Sequence, residues 1–155
     1  MTEQSLHGNC VIVGTRGILI LGVSGSGKSE LTDTLIEAAK AKGNLGALVA
    51  DDRLFLSANQ NRLMARVPEQ IEGLMEVRGT GIVHQTTVPA AKVDLIVDLQ
   101  PLATIERLPE KALAARVLKD IEVPALVCPA NNPGVSLRLI RWGLRSLYPN
   151  VPDYI

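Results

Sequence analysis

The segment Gly22-Val23-Ser24-Gly25-Ser26-Gly27-Lys28-Ser29 constrains this chain more than any other stretch. It satisfies G-x-x-x-x-G-K-[ST] at every position, and that pattern works only between a buried strand and the start of a helix. Both neighbours are present. Gly17-Ile18-Leu19-Ile20-Leu21 is a short apolar run that reads as a buried strand, and Leu31, Leu35, Ala38 and Ala39 then recur at helical spacing. In such a loop the glycines let the backbone close round a polyphosphate with its N–H groups turned inward. The positive end of the helix dipole then faces the anion. Lys28 is placed to reach the β- and γ-phosphates, and the Ser29 hydroxyl to ligate Mg²⁺. The chain is therefore expected to bind a nucleoside triphosphate together with Mg²⁺.

A chain of 155 residues fits a single domain over 1–155, long enough to bury roughly 68–70% of its unfolded surface. Sixteen basic side chains balance sixteen acidic ones and aromatics are only 3%, which argues against a nucleic-acid partner. Met1-Thr2-Glu3-Gln4-Ser5 lacks the layout of a signal peptide, and no apolar run approaches the ~20 residues that span a bilayer. A soluble, cytoplasmic protein with no membrane partner is expected. Cys10 and Cys128 stand far apart without metal-ligand spacing; they read as buried reduced thiols, with a disulfide as the alternative.

Apolar periodicity gives the organisation. Asn9 to Val13 and Gly17 to Leu21 flank Gly14-Thr15-Arg16 as a hairpin whose second strand delivers the phosphate loop. A helix over about 29–41 stops near Gly43-Asn44. Leu45 to Ala50 runs into Asp51-Asp52. A second hairpin is expected over Arg53 to Ala58 and Arg62 to Val67, around Asn59-Gln60-Asn61. Pro68 to Gly81 reads as irregular, Lys92 to Leu99 and Ala125 to Cys128 as strands, and about 135–147 as a final helix with Leu137, Ile140, Leu144 and Leu147 on one side. Trp142 reads as core or as a subunit contact. The expected fold class is α/β, a P-loop kinase domain with a mixed central sheet.

The acidic pair Asp51-Asp52 stands where α/β proteins place catalytic carboxylates, at the end of the strand after the phosphate-loop helix. Side chains alternate along a strand, so one of the two faces the phosphate and the other faces away. A carboxylate there can hold Mg²⁺ or accept the proton of an attacking hydroxyl. The same two residues also suit a plain turn.

These residues, with Met75-Glu76-Val77-Arg78-Gly79-Thr80-Gly81-Ile82, resemble the catalytic domain of HPr kinase/phosphorylase. That family phosphorylates a serine of HPr, the phosphocarrier of bacterial sugar phosphotransferase systems. The Glu-Val-Arg-Gly-x-Gly-Ile segment is the specific part of the likeness. His7-Gly8, Val97-Asp98-Leu99, Glu106-Arg107-Leu108 and the stretch from Ile121 through Pro129 also line up, so the resemblance runs from about 7 to 145.

The resemblance implies catalytic roles for Asp51, Asp52, His7, Lys28 and Arg107. It implies nucleotide binding by Gly22, Val23, Ser24, Gly25, Ser26, Gly27, Lys28 and Ser29, and metal binding by Ser29 and Glu76. One aspartate of the pair would be general base for the kinase reaction and general acid for its reverse. It also implies ATP as the nucleotide, a homohexamer and an HPr-like phosphocarrier as protein substrate. By residue type alone, His7 is equally a surface histidine, Glu76 and Arg78 an exposed charged loop, and Arg107 part of a solvated helix face. His84 has no matching role.

The chain departs from the family pattern in several places: its phosphate-loop helix has several extra residues, Thr80 stands where leucine is usual, and two stretches bear on activity. Where the family has a Phe-Gly-Ala-Gly segment, this chain reads His84-Gln85-Thr86-Thr87-Val88-Pro89-Ala90-Ala91. Its Cys128-Pro129-Ala130-Asn131-Asn132-Pro133-Gly134 contains no basic residue, where the family's dephosphorylation region has one. Kinase action is accordingly better supported than phosphorylase action. Two other readings stand beside it: a nucleotide-sensing module without transfer, and a P-loop small-molecule kinase, although no arginine-rich lid is evident between Arg62 and Arg78.

Overall fold

The computed structural model describes residues 3–155; Met1 and Thr2, where the expected domain begins, lie outside the described residues. In chain order the strands are β1 (Gln4–His7), β2 (Asn9–Val13), β3 (Arg16–Leu21), β4 (Gly46–Ala50), β5 (Arg53–Asn59) and β6 (Arg62–Arg66). They continue as β7 (Leu74–Val77), β8 (Gly81–His84), β9 (Ala90–Lys92), β10 (Leu95–Gln100), β11 (Leu113–Leu118) and β12 (Ile121–Pro129). The α-helices are α1 (Lys28–Ala41) and α2 (Pro133–Leu147).

The central sheet is six-stranded, in the order β11-β12-β10-β3-β2-β4. Strands β3, β10 and β12 run parallel; β2 is antiparallel to both β3 and β4, and β11 to β12. The sheet is mixed, as the pattern of hairpins and one early helix predicts. It is covered on both faces, which is why its middle strands are almost wholly apolar. Ile18 and Ile20 of β3 pack with Leu31, Leu35 and Ile36 of α1 and Ile140 and Leu144 of α2. Leu19 and Leu21 face the other way, against Leu54, Leu56, Leu63 and Ala65 of a four-stranded sheet ordered β1-β5-β6-β9. The result is three layers: helices, central sheet, second sheet.

The pairing of β2 with β4 slips between Cys10 and Val11, where Cys10 opposes Ala50 but Val11 opposes Leu48. Val49 is the extra residue of a β-bulge. Leu48 belongs to the helix-side core, whereas Val49 and Ala50 both belong to the sheet-side core. The bulge therefore resets the alternation, and Asp51 returns to the helix side.

The chain differs from its sequence pattern in several elements. Within Pro68 to Gly81, expected to be irregular, β7 forms and pairs with β8. Gly79 and Gly81, at φ +91° and +113°, serve the turn between the two strands, and Met75 is buried beneath the hairpin. The strand expected over Lys92 to Leu99 is two strands in different sheets: β9 pairs with β6 and β10 with β3. The short, largely exposed strands β1 and β11 carry no apolar signal strong enough to mark them. Trp142 is 61% exposed, so it is not core. Both cysteines are buried and free, which removes the disulfide alternative.

Candidate active site

Parallel alignment of β3 and β4, each antiparallel to β2, brings three chain segments to one edge of the sheet. The phosphate loop follows β3, Asp51 follows β4, and β2 starts between them with Asn9.

In the loop, the backbone wraps tightly round Ser26. A side chain at Gly22 would place its Cβ 2.4 Å from Ser26 Oγ, and the Ser26 N–H donates to Val23 O at 3.1 Å. Gly25 and Gly27 take φ of +81° and +90°, a region that costs an ordinary L-residue energy. Lys28 folds back over the loop, its Nζ donating to Gly22 O at 3.0 Å and Val23 O at 3.2 Å. Gly27 caps α1 without any side-chain hydrogen bond. The first-turn amides of α1 thus have neither an intrahelical acceptor nor a capping oxygen, and an anion fits where the cap is missing. The buried Ser26 Oγ also has no partner among the described residues.

Asp51 meets this loop directly. The Ser29 Oγ donates to Asp51 Oδ1 at 2.5 Å, Asn9 Nδ2 to the same oxygen at 2.7 Å, and the Glu76 N–H to Asp51 Oδ2 at 3.1 Å. Glu76 is held there because its neighbour Met75 is buried in the helix-side core. Asp52 differs: its φ is +70°, its N–H donates to Asn9 Oδ1 at 2.9 Å, and its carbonyl accepts from Gly8 N at 3.0 Å. Its carboxylate is exposed and makes no hydrogen bond among the described residues. His7 ends β1 opposite Arg53, which places it beside Asp52.

Lys28, Ser29, Asp51, Asp52, Glu76 and His7 therefore gather at one edge. Arg107 does not share in these bonds. It lies exposed in an irregular segment rather than on a helix, and no hydrogen bond or ion pair among the described residues ties it to the others.

Residue types and spacing do not single out Asn9, Thr32 or Asn131. Asn9 Nδ2 also donates to Thr32 Oγ1 at 3.0 Å, and both residues are fully buried. Its signal was an amide at the head of an apolar strand. Asn131, at φ +54°, donates its N–H to Ser26 O at 2.9 Å and sits against Gly27.

The donor set suits Mg²⁺ with a nucleotide. Ser29 Oγ and Asp51 Oδ1 are hard oxygen donors on adjoining elements, with Glu76 next to them. Among the described residues no three acidic, histidine or cysteine side chains form a metal cage. Few protein ligands is the usual state of a Mg²⁺ that keeps its waters and takes phosphate oxygens.

The segment that replaces the expected glycine-rich stretch lies along the outer edge of β4. Leu48 N donates to Thr86 O at 2.8 Å, and Val88 N to Leu48 O at 3.1 Å. Gln85 Nε2 donates to Asp33 Oδ1 of α1 at 2.9 Å.

The family model for the HPr Serine kinase C-terminal domain matches residues 1–140. The chain is similar to the HPr kinase/phosphorylase of Geobacillus thermodenitrificans, 36% identical over 147 residues, covering 88% of this chain and 45% of that protein. The HPr kinase/phosphorylase of Malacoplasma penetrans is 30% identical over 138 residues, covering 82% and 44%. The chain thus spans about half the length of the curated relatives it matches. The solved Hpr(Ser) kinase/phosphatase of Coxiella burnetii shares the fold, with a TM-score of 0.76 at 25% identity over 93% of this chain and 98% of that one.

Proposed function

The chain belongs to the HPr serine kinase C-terminal domain family, and from that premise we propose that it is an ATP- and Mg²⁺-dependent kinase acting on a serine of an HPr-like phosphocarrier. The observation that supports this most is the bond from Ser29 to Asp51, which joins the phosphate loop to the acidic strand end. Lys28, now on its own loop carbonyls, would exchange them for phosphate oxygens. Mg²⁺, held by Ser29 and Asp51 with Glu76 beside them, would neutralise charge on the phosphates. The residues His7, Asp52 and Arg107 would serve the protein substrate and the transferring group.

In the reaction the substrate serine oxygen forms a bond to the γ-phosphorus, and the bond from that phosphorus to the β,γ-bridging oxygen breaks. The serine proton passes to one carboxylate of the Asp51-Asp52 pair. Asp51 is occupied by three donors, which favours the unpartnered Asp52 as acceptor. The stretch from Cys128 to Gly134 supplies no cation, so the kinase direction is proposed over phosphorolysis. A single domain in a cytoplasmic homo-oligomer, hexameric by family likeness, completes the reading.

Incubation with γ-labelled ATP, Mg²⁺ and a purified HPr-like carrier tests it. Label on the carrier's serine, lost in Lys28→Ala, is the expected result. Nucleotide bound without label on the carrier would instead identify a nucleotide-sensing module, and the kinase reading would fall.

A further inference from the structure

Asn9 has no assigned role, yet its side chain spends all its polar atoms on the acidic pair and its support. It is fully buried at the start of β2, in the row that continues with Val11 and Val13 toward α1. A buried amide in such a row is costly unless every group is bonded. Here every group is. Nδ2 donates to Asp51 Oδ1 at 2.7 Å and to Thr32 Oγ1 at 3.0 Å, while Oδ1 accepts the Asp52 N–H at 2.9 Å. Thr32 Oγ1 in turn donates to Lys28 O at 2.8 Å, one turn earlier in α1. The chain of bonds therefore runs from the lysine of the phosphate loop, through Thr32 and Asn9, to both aspartates.

We propose that Asn9 is a positioning residue that sets the Asp51 carboxylate against Ser29 and holds the Asp52 backbone in its left-handed turn. Three features support this. The amide gives two N–H donors and one acceptor, which matches what Thr32, Asp51 and the Asp52 N–H require. Extending the Cys10–Ala50 pairing by one residue puts Asn9 opposite Asp51, so the contact is built into strand register. The bulge at Val49 puts the two side chains on the same face. Aspartate at position 9 would keep the shape and the acceptor but lose the donors, and it would set a like charge beside Asp51.

The inference rests on the proposed kinase reading for its catalytic consequence, but the clamp itself has a readout that needs no activity. In wild-type protein, the Asn9 side-chain amide protons should be protected from exchange, and Asp51→Ala should move their NMR signals and speed their exchange. In carrier phosphorylation, Asn9→Asp and Asn9→Ala should lose roughly tenfold or more in kcat, with KM for MgATP changed less than about threefold, as for loss of a transition-state orientation.

If Asn9→Ala does not fold, Asn9→Asp and the wild-type amide signals carry the test. A kcat within about twofold of wild type in Asn9→Asp would overturn the inference, and so would Asn9 amide protons that exchange freely and are unmoved by Asp51→Ala. Wild-type protein that phosphorylates no carrier would overturn the kinase reading alone, because the amide signals still decide the clamp.

Discussion

The hydroxyl of Ser29 lies 2.5 Å from Asp51 Oδ1, so the first turn of α1 and the end of β4 are joined by a bond between the two oxygens proposed to hold Mg²⁺. Neither element could supply the pair alone. α1 brings the serine because the helix starts at Lys28, and β4 brings the aspartate because its bulge turns that residue toward the helix.

Separating the two should therefore change the metal requirement before anything else. Ser29→Ala and Asp51→Asn are each expected to raise the Mg²⁺ concentration needed for half-maximal nucleotide binding by about tenfold, in line with loss of one metal contact. Titrating Mg²⁺ against a fluorescent ATP analogue measures this. Unchanged Mg²⁺ dependence in both variants would exclude them as ligands.

The loop should be intolerant at Gly27. Its φ is +90°, and an added Cβ would stand 3.0 Å from Asn131 Oδ1. Gly27→Ala should weaken nucleotide binding about tenfold, since a left-handed L-residue costs about 1–2 kcal/mol. Adding Asn131→Gly should recover part of the loss, because the backbone bond to Ser26 remains while the crowding side chain is gone. Equal affinities for the single and double variants by calorimetry would show that Asn131 does not crowd the loop.

At the opposite edge of the sheet, packing leaves no room for a side chain at Gly17. A Cβ there would come within 2.0 Å of the Lys92 carbonyl oxygen, just where the chain passes from β9 to β10. The Gly17 N–H also donates to the buried Asp94 carboxylate at 2.9 Å. Gly17→Ala should cost on the order of 3 kcal/mol, because backbone must move to admit the methyl group. Thermal melting should fall by roughly 6–12 °C for a chain of this size. A melting point within about a degree or two of wild type would contradict the close approach.

Both thiols should be inert in the folded protein. Burial pushes Cys10 and Cys128 up from an ordinary 9.0 to about 12. At pH 8 neither should react with a thiol-disulfide reagent until denaturant is added, when both should. The sign of the linkage follows. Above about pH 9 the unfolded chain releases thiol protons that the folded chain keeps up to about pH 12, so stability conferred by the neutral thiols falls across that interval. Denaturant melts at pH 8 and pH 10 check the direction, with Cys10→Ala and Cys128→Ala variants expected to show a shallower fall.

The sequence exposes what local chemistry controls and hides what pairing controls. The Gly22–Ser29 loop, its flanking strand and helix, the two hairpins and the mixed sheet are all legible, because each has its own glycines or apolar period. The β7–β8 hairpin is not. Its glycines look like loop markers, and only cross-strand pairing with Leu74–Val77 reveals them as a turn. The split between β9 and β10 is hidden for a similar reason, since Val93 and Asp94 interrupt neither the apolar pattern nor the charge balance. At the site, Asp51, Ser29 and Lys28 are evident from spacing, while Asn9 gains meaning only from register with a strand 42 positions away. Arg107 illustrates the reverse. Its place rests on likeness alone, and no hydrogen bond or ion pair among the described residues joins its exposed segment to the cluster.

The extra residue in β4 bears on how such a strand end tolerates change. The aim of a terminal side chain depends on whether the count from the far end is odd or even, and Val49 supplies the odd one. Two aspartates in succession insure against either parity. Were the bulge smoothed out, Asp52 would turn toward α1 and Asp51 away from it, so a carboxylate would still meet Ser29. A slip of one residue would thus exchange the positions of the two acids, leaving a carboxylate beside Ser29 and moving the free one to the other side of the strand.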